Sequence, residues 1–219
     1  MKQKQAKYWW RAAGLLGAFA LWTALVSTVD VQAIGPNGSA VGFARLNGWI
    51  HTLTGVNMSL YVITDWLGLV PVACGFGFAL LGLAQWIRRR SLGKVDFSIL
   101  VLGGFYLVVL AAYLFFESVV INYRPVLIAG FLEASYPSST TLLVLCVMPT
   151  ALMQLNARIK NTMCRRWVIF AIVGFTAFMV LGRLVSGVHW FTDIAGGFLL
   201  SGGLVELYRA ICLGEFGEV

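Results

Sequence analysis

Six long apolar runs, separated by short polar stretches, make up most of this chain. A membrane-spanning helix needs about 20 consecutive, mostly apolar residues. Runs of roughly that length fall at 10–34, 60–87, 97–120, 138–155, 167–184 and 189–213. The first carries Asp30 near its far end; the second contains Pro71 and is stopped by Arg88, Arg89 and Arg90. Residues 35–58, GPNGSAVGFARLNGWIHTLTGVNM, are too polar and glycine-rich to span, and a short interfacial helix is expected over about 40–53. Residues 121–136 read as a polar loop in which FLEASY forms a helical turn. The expected fold is all-α, a six-helix transmembrane bundle forming one domain over residues 1–219, without internal repeats. Gly196, Gly197, Gly202 and Gly203 in the last run predict close helix packing.

Composition agrees. The 219 residues are 59% hydrophobic and 11% charged, with a mean hydropathy of +0.84, whereas a soluble domain carries about 25% charged residues. The net charge of +7 resides in clusters: Lys2, Lys4, Lys7 and Arg11; Arg88–Arg90 with Lys94; Arg158, Lys160, Arg165 and Arg166. These clusters occupy alternate loops, the pattern that sets membrane orientation, so the charge does not imply a nucleic-acid partner. Both termini and the loops at 88–96 and 156–166 are thereby expected on the cytoplasmic side of a plasma membrane, as in a bacterial multi-pass protein. The first run lacks a small-residue cleavage pattern and reads as a retained helix. Cys74, Cys146, Cys164 and Cys212 have no metal-ligand spacing, and neither disulfide nor structural zinc is expected.

Candidate chemistry then falls on the outer face. Residues 182–193, GRLVSGVHWFTD, put Arg183, His189 and Asp193 into apolar surroundings, where ionisable residues signal function. His189 and Asp193 are four apart, so on one helix they would share a face. The carboxylate would then take the proton of one imidazole nitrogen and leave the other basic. Arg124, in Tyr123-Arg124-Pro125, is a second arginine that the charge rule does not explain. In Tyr136-Pro137-Ser138-Ser139-Thr140-Thr141 a proline and small hydroxyl residues open a helix, whose free N–H groups suit an anion.

The order Arg-Pro, Pro-Ser, then Arg-x5-His-x3-Asp on a six-helix chain resembles the type 2 phosphatidic acid phosphatase (PAP2) superfamily, whose pattern is Lys-x6-Arg-Pro, Pro-Ser-Gly-His and Ser-Arg-x5-His-x3-Asp. The detailed resemblance covers about residues 117–197. It implies a PAP2-like bundle acting as a lipid phosphatase or diphosphatase at the outer face, without metal or other cofactor. By that analogy His189 attacks phosphorus to give a phosphohistidine, Asp193 orients it, Arg124 and Arg183 hold the phosphoryl oxygens, and Ser138 with the amides of Ser139 and Thr140 completes the cradle.

Three family positions differ: Glu117 stands for the lysine, Ser139-Thr140 for glycine-histidine, and Gly182 for the serine. A hydroxyl is no substitute for an imidazolium as general acid near neutral pH. Three explanations stay open. The leaving group is good, as in a prenyl diphosphate; or His51 supplies the acid; or the protein binds or translocates a lipid phosphate without hydrolysing it. A phosphotransferase passing the group to another acceptor is a further reading. Glu117 is expected to pair with Arg124. Phosphatidic acid and prenyl diphosphates are the expected substrates; the specific lipid and any oligomeric state are not encoded in these motifs.

Overall fold

The computed structural model describes residues 2–215. Among them are eight α-helices: α1 (Lys2–Thr28), α2 (Ala44–Thr54), α3 (Met58–Leu67), α4 (Leu69–Arg89), α5 (Phe97–Ser118), α6 (Ser139–Arg158), α7 (Thr162–Val185) and α8 (Phe191–Cys212). Six stretches are long and apolar enough to cross a membrane, α3 and α4 together forming one of them. The protein is a multi-pass membrane protein, and its all-helical six-span architecture is the one expected.

Several boundaries move for identifiable reasons. The first helix begins eight residues before the apolar run and ends at Thr28, leaving Asp30 outside it in a left-handed conformation. Asp30 there accepts the backbone N–H of Arg45 at 2.8 Å, tying the loop to the start of α2. The second span breaks at Gly68, three residues before Pro71; a proline ring in the first turn of α4 withholds one backbone donor and suits a helix start. FLEASY forms no helical turn. Instead Tyr123 bridges Ala134 and Ile128 bridges Phe131, folding 121–136 back on itself like a hairpin.

α6 and α8 form the centre, with more than half of each apolar window buried, whereas α3–α4, α5 and α7 turn most of theirs outward to lipid. α1 lies along α8, α6 packs on α7 and α8, and α3 leans on α7. Lipid and apolar side chains differ little in polarity, so such helices are held by close packing and interhelical hydrogen bonds. Gly203 lets α1 approach at Leu16, and Gly196 receives the ring of Tyr136. At the basic end, Asp96 pairs with Arg89 at 2.9 Å and Arg158 at 3.1 Å, joining the ends of α4, α5 and α6. Buried Gln154 donates to the carbonyl of Ser98 and to Tyr208.

Gly182 shows why one family position departs. A Cβ there would lie 2.8 Å from the methyl of Thr64 on α3, so the residue is small because α3 crosses α7 at that point. Gly182→Ala should lower stability by about 1–3 kcal/mol, read as a fall in Tm of the detergent-solubilised protein. Adding Thr64→Ser, which removes the methyl and keeps the hydroxyl, should recover most of the loss.

Candidate active site

The end of the bundle opposite the basic clusters gathers α2, the starts of α3, α6 and α8, and the loops at 119–138 and 186–190. His189 is carried by the short turn between α7 and α8, ahead of α8 and outside it. The i, i+4 spacing to Asp193 is therefore not one helical face, as the sequence suggested. Gly187 makes the turn: its φ is +66°, and a Cβ there would come within 1.8 Å of the Gly55 carbonyl oxygen. Further ties hold it. Asn57 N–H donates to the Ser186 carbonyl at 2.9 Å, and the Trp190 indole donates to the Tyr123 carbonyl at 2.7 Å.

Asp193 sits in the first turn of α8, fully buried. Its Oδ2 accepts the Trp190 backbone N–H at 2.9 Å and the Ser135 hydroxyl at 2.5 Å, and its Oδ1 accepts the Asn122 side-chain amide at 3.3 Å. The positive end of the α8 dipole adds to this stabilisation. His189 Nδ1 is 3.9 Å from Asp193 Oδ2, too far for a hydrogen bond, and lies 3.0 Å from Ser135 Oγ. Ser135 is the link. It has one hydroxyl hydrogen, given to Asp193, so its oxygen accepts from His189 Nδ1–H. That leaves the lone pair on Nε2, which is buried and has no hydrogen-bond partner among the described residues. Burial lowers the His189 pKa to about 4, assisted by the charges of Arg124 and Arg183 and opposed by Asp193. The imidazole is neutral at physiological pH, as a nucleophile must be.

Two arginines face this nitrogen's environment. Arg183 is 1% exposed; its Nη2 donates to Asp65 Oδ1 at 3.0 Å and to Thr140 Oγ1 at 2.5 Å. Arg124 lies 3.1 Å through Nε from Glu133 Oε2. Both guanidiniums sit over the ring of Tyr61, at 4.9 Å for Arg183 and 5.8 Å for Arg124. Each keeps buried N–H capacity unmet: Arg183 Nε and Arg124 Nη1 have no hydrogen-bond partner in the protein.

The remaining candidates separate. Glu117 does not pair with Arg124; it is exposed at the end of α5, and Glu133, supplied by the folded-back loop, takes the arginine. Ser138 is fully buried and its hydroxyl caps α6 by accepting the Thr141 N–H at 3.4 Å, so the cap, not the cradle, explains it. The amides of Ser139 and Thr140 open the first turn of α6, where helix geometry gives them no acceptor. His51 Nε2 donates to the Gly187 carbonyl at 3.1 Å and its ring leans on Trp190 at 5.4 Å, so it braces the His189 turn. Sequence reasoning missed Ser135, Asn122, Tyr61, Asp65 and Glu133. Of these only Ser135 had a local signal, adjoining the Pro-Ser segment.

The chain has two histidines. In a His51→Gln protein, where the amide can still reach Gly187, the remaining imidazole should show no NMR titration between about pH 8 and pH 5. A midpoint near the ordinary value of about 6.5 would contradict the burial.

The PAP2 superfamily model matches residues 97–212, that is α5 through α8 with their loops. No curated protein matches the sequence. Among solved structures, the first transmembrane PAP2-type phosphatidylglycerolphosphate phosphatase from Bacillus subtilis is similar, with a TM-score of 0.53 at 18% identity over 91% of this chain and 94% of that one. At that identity the likeness speaks for the fold. The family model covers more than half of the chain and every one of the motifs above, and the protein belongs to the PAP2 superfamily.

Proposed function

We propose that this protein is a membrane lipid phosphatase or diphosphatase that works through a phosphohistidine on His189. One observation carries the reading. Among the described residues three buried nitrogens from three segments, His189 Nε2, Arg124 Nη1 and Arg183 Nε, lack hydrogen-bond partners, and such groups gathered in one place are explained by a ligand or water that completes them. A nucleophilic lone pair beside two unspent cationic donors suits a phosphoryl group.

The phosphoryl oxygens of a lipid lie between the two guanidiniums and the first amides of α6. His189 Nε2 forms a bond to phosphorus as the bond from phosphorus to the leaving oxygen breaks. The Nδ1 proton stays on the imidazole, held by Ser135, and Asp193 stabilises the charge that develops. Water then attacks phosphorus, the P–N bond breaks, and inorganic phosphate leaves. Thr140 accepts from Arg183, so its own O–H is free to donate to a phosphoryl oxygen. With a hydroxyl at this position and His51 Nε2 spent on Gly187, departure favours a leaving group that needs no strong acid, such as the phosphate monoester released from a prenyl diphosphate. The positive-inside pattern of the basic clusters supports a site at the outer face of the plasma membrane with both termini in the cytoplasm.

Phosphate release from phosphatidic acid and from a prenyl diphosphate, measured in parallel in detergent micelles, tests this. His189→Ala should reduce release by a factor on the order of 10³ or more, and acid-labile label should be trapped on wild-type His189. Ser135→Ala should lower kcat by about 10–100-fold with a smaller change in KM, since its hydroxyl is engaged by His189 and Asp193 and orients the nucleophile. Retained lipid binding with no release from either substrate would favour a binding or translocating role.

A further inference from the structure

Glu117 stands where the family pattern has a phosphate-binding lysine, and the structure surrounds it with groups of a different purpose. A small recess between the end of α5 and the start of α6 is lined by Glu117, the aromatic rings of Tyr113, Phe116 and Tyr136, and the hydroxyl residues Ser135 and Ser139. Phe116 and Tyr136 meet edge to face, their centroids 6.0 Å apart. The free volume is about 10 Å³, room for one group the size of a water molecule. Ser135 is the residue that holds His189, and Ser139 opens α6, so the recess adjoins both the nucleophile's support and the anion-binding helix start.

The charges around it point the same way. Arg124 is offset by Glu133 and Arg183 by Asp65. Among the described residues Glu117 makes no ion pair. A phosphate monoester arriving alone meets two arginines already balanced and one carboxylate in excess. A phosphate that carries its own cation does not have this difficulty. An ammonium is drawn to a carboxylate and to aromatic faces together, and a primary ammonium, unlike a trimethylated one, fits a water-sized space.

We propose that this recess binds a primary ammonium group, and that the phosphate recognised by Arg124 and Arg183 belongs to an aminoalkyl phosphate monoester, either a lipid that carries its amine beside the phosphate or a free amino-alcohol phosphate. The inference rests on the phosphatase reading for the phosphate half of the site and adds the amine half. It also bears on the leaving group: an ammonium close to the departing oxygen lowers that oxygen's basicity and eases its loss without an acid.

Non-cleavable phosphonates test recognition on the wild-type chain in detergent without any turnover. 2-Aminoethylphosphonate should bind about tenfold more tightly than n-propylphosphonate, which has the same shape without the charge, and than its trimethylammonio analogue. Glu117→Gln should remove the preference and Glu117→Lys should reverse it; Glu117 is exposed, and gel filtration checks that both variants stay folded. Equal affinities in the wild type, or a preference surviving in Glu117→Gln, would overturn the proposal. Competition by a micellar long-chain 2-aminoalkyl phosphate monoester against the amine-free long-chain alkyl phosphate, set beside soluble phosphoethanolamine against ethyl phosphate, distinguishes a lipid from a free ester. Failure of the underlying reading is separable. Amine preference without phosphohistidine would remove hydrolysis and keep the recess, and phosphohistidine formed equally from amine-free substrates would do the reverse.

Discussion

A buried carboxylate imposes its terms on everything near it. Asp193 has no exposed surface, and burying an isolated charge costs several kcal/mol unless hydrogen bonds replace the water it loses. The replacements come from Trp190 in its own turn, Ser135 in the folded-back loop and Asn122 at the other end of that loop. Each donor brings further structure. Asn122 accepts the Gly42 amide, and Thr192, beside Asp193, exchanges hydrogen bonds with Asn47 of α2. Satisfying one carboxylate thus draws the loop between α5 and α6, the loop before α2 and α2 itself onto the head of α8, and His189 is carried into place with them.

The arginines present the complementary problem. Two guanidiniums over one tyrosine ring repel each other, and at partial burial that repulsion is weakly screened. Asp65 and Glu133 relieve it from outside: the Asp65 side chain is 57% exposed and that of Glu133 41%, whereas the Arg183 and Arg124 side chains are buried. The inward donors are the ones without partners. The carboxylates thus hold the clamp in shape without filling it.

The spans were legible because hydropathy and basic clusters act locally, and a run of apolar residues bounded by arginines has few other outcomes. The Pro-Ser start of α6 was legible for the same reason, since a cap is a matter of four adjacent residues. The pairing of His189 with Asp193 was misread because their spacing suits a helix, whereas Asp193 turns back to its own helix start and bonds the Trp190 N–H, leaving His189 outside. Ser135, which closes the gap, is separated from His189 by 54 positions, and nothing in a linear pattern marks such a partner. The same holds for Glu133, chosen over Glu117 because the chain at 121–136 doubles back and delivers it to Arg124. Gly182 was visible as a departure but not as a cause; that needed the crossing of α3 at Thr64.

The depth of the site has a consequence for encounter. Arg183 lies two residues before the end of α7, and Thr140 is the second residue of α6, so each is about 3 Å of helix rise from its loop. α8, with 22 residues, is about 33 Å long and matches a hydrocarbon core of about 30 Å. The clamp therefore lies within about one turn of where helices of this length leave the hydrocarbon. For the lipid substrate proposed above, that depth would let the phosphate reach the clamp by sideways movement within its own leaflet, tails still in hydrocarbon, so that the search is a diffusion in two dimensions.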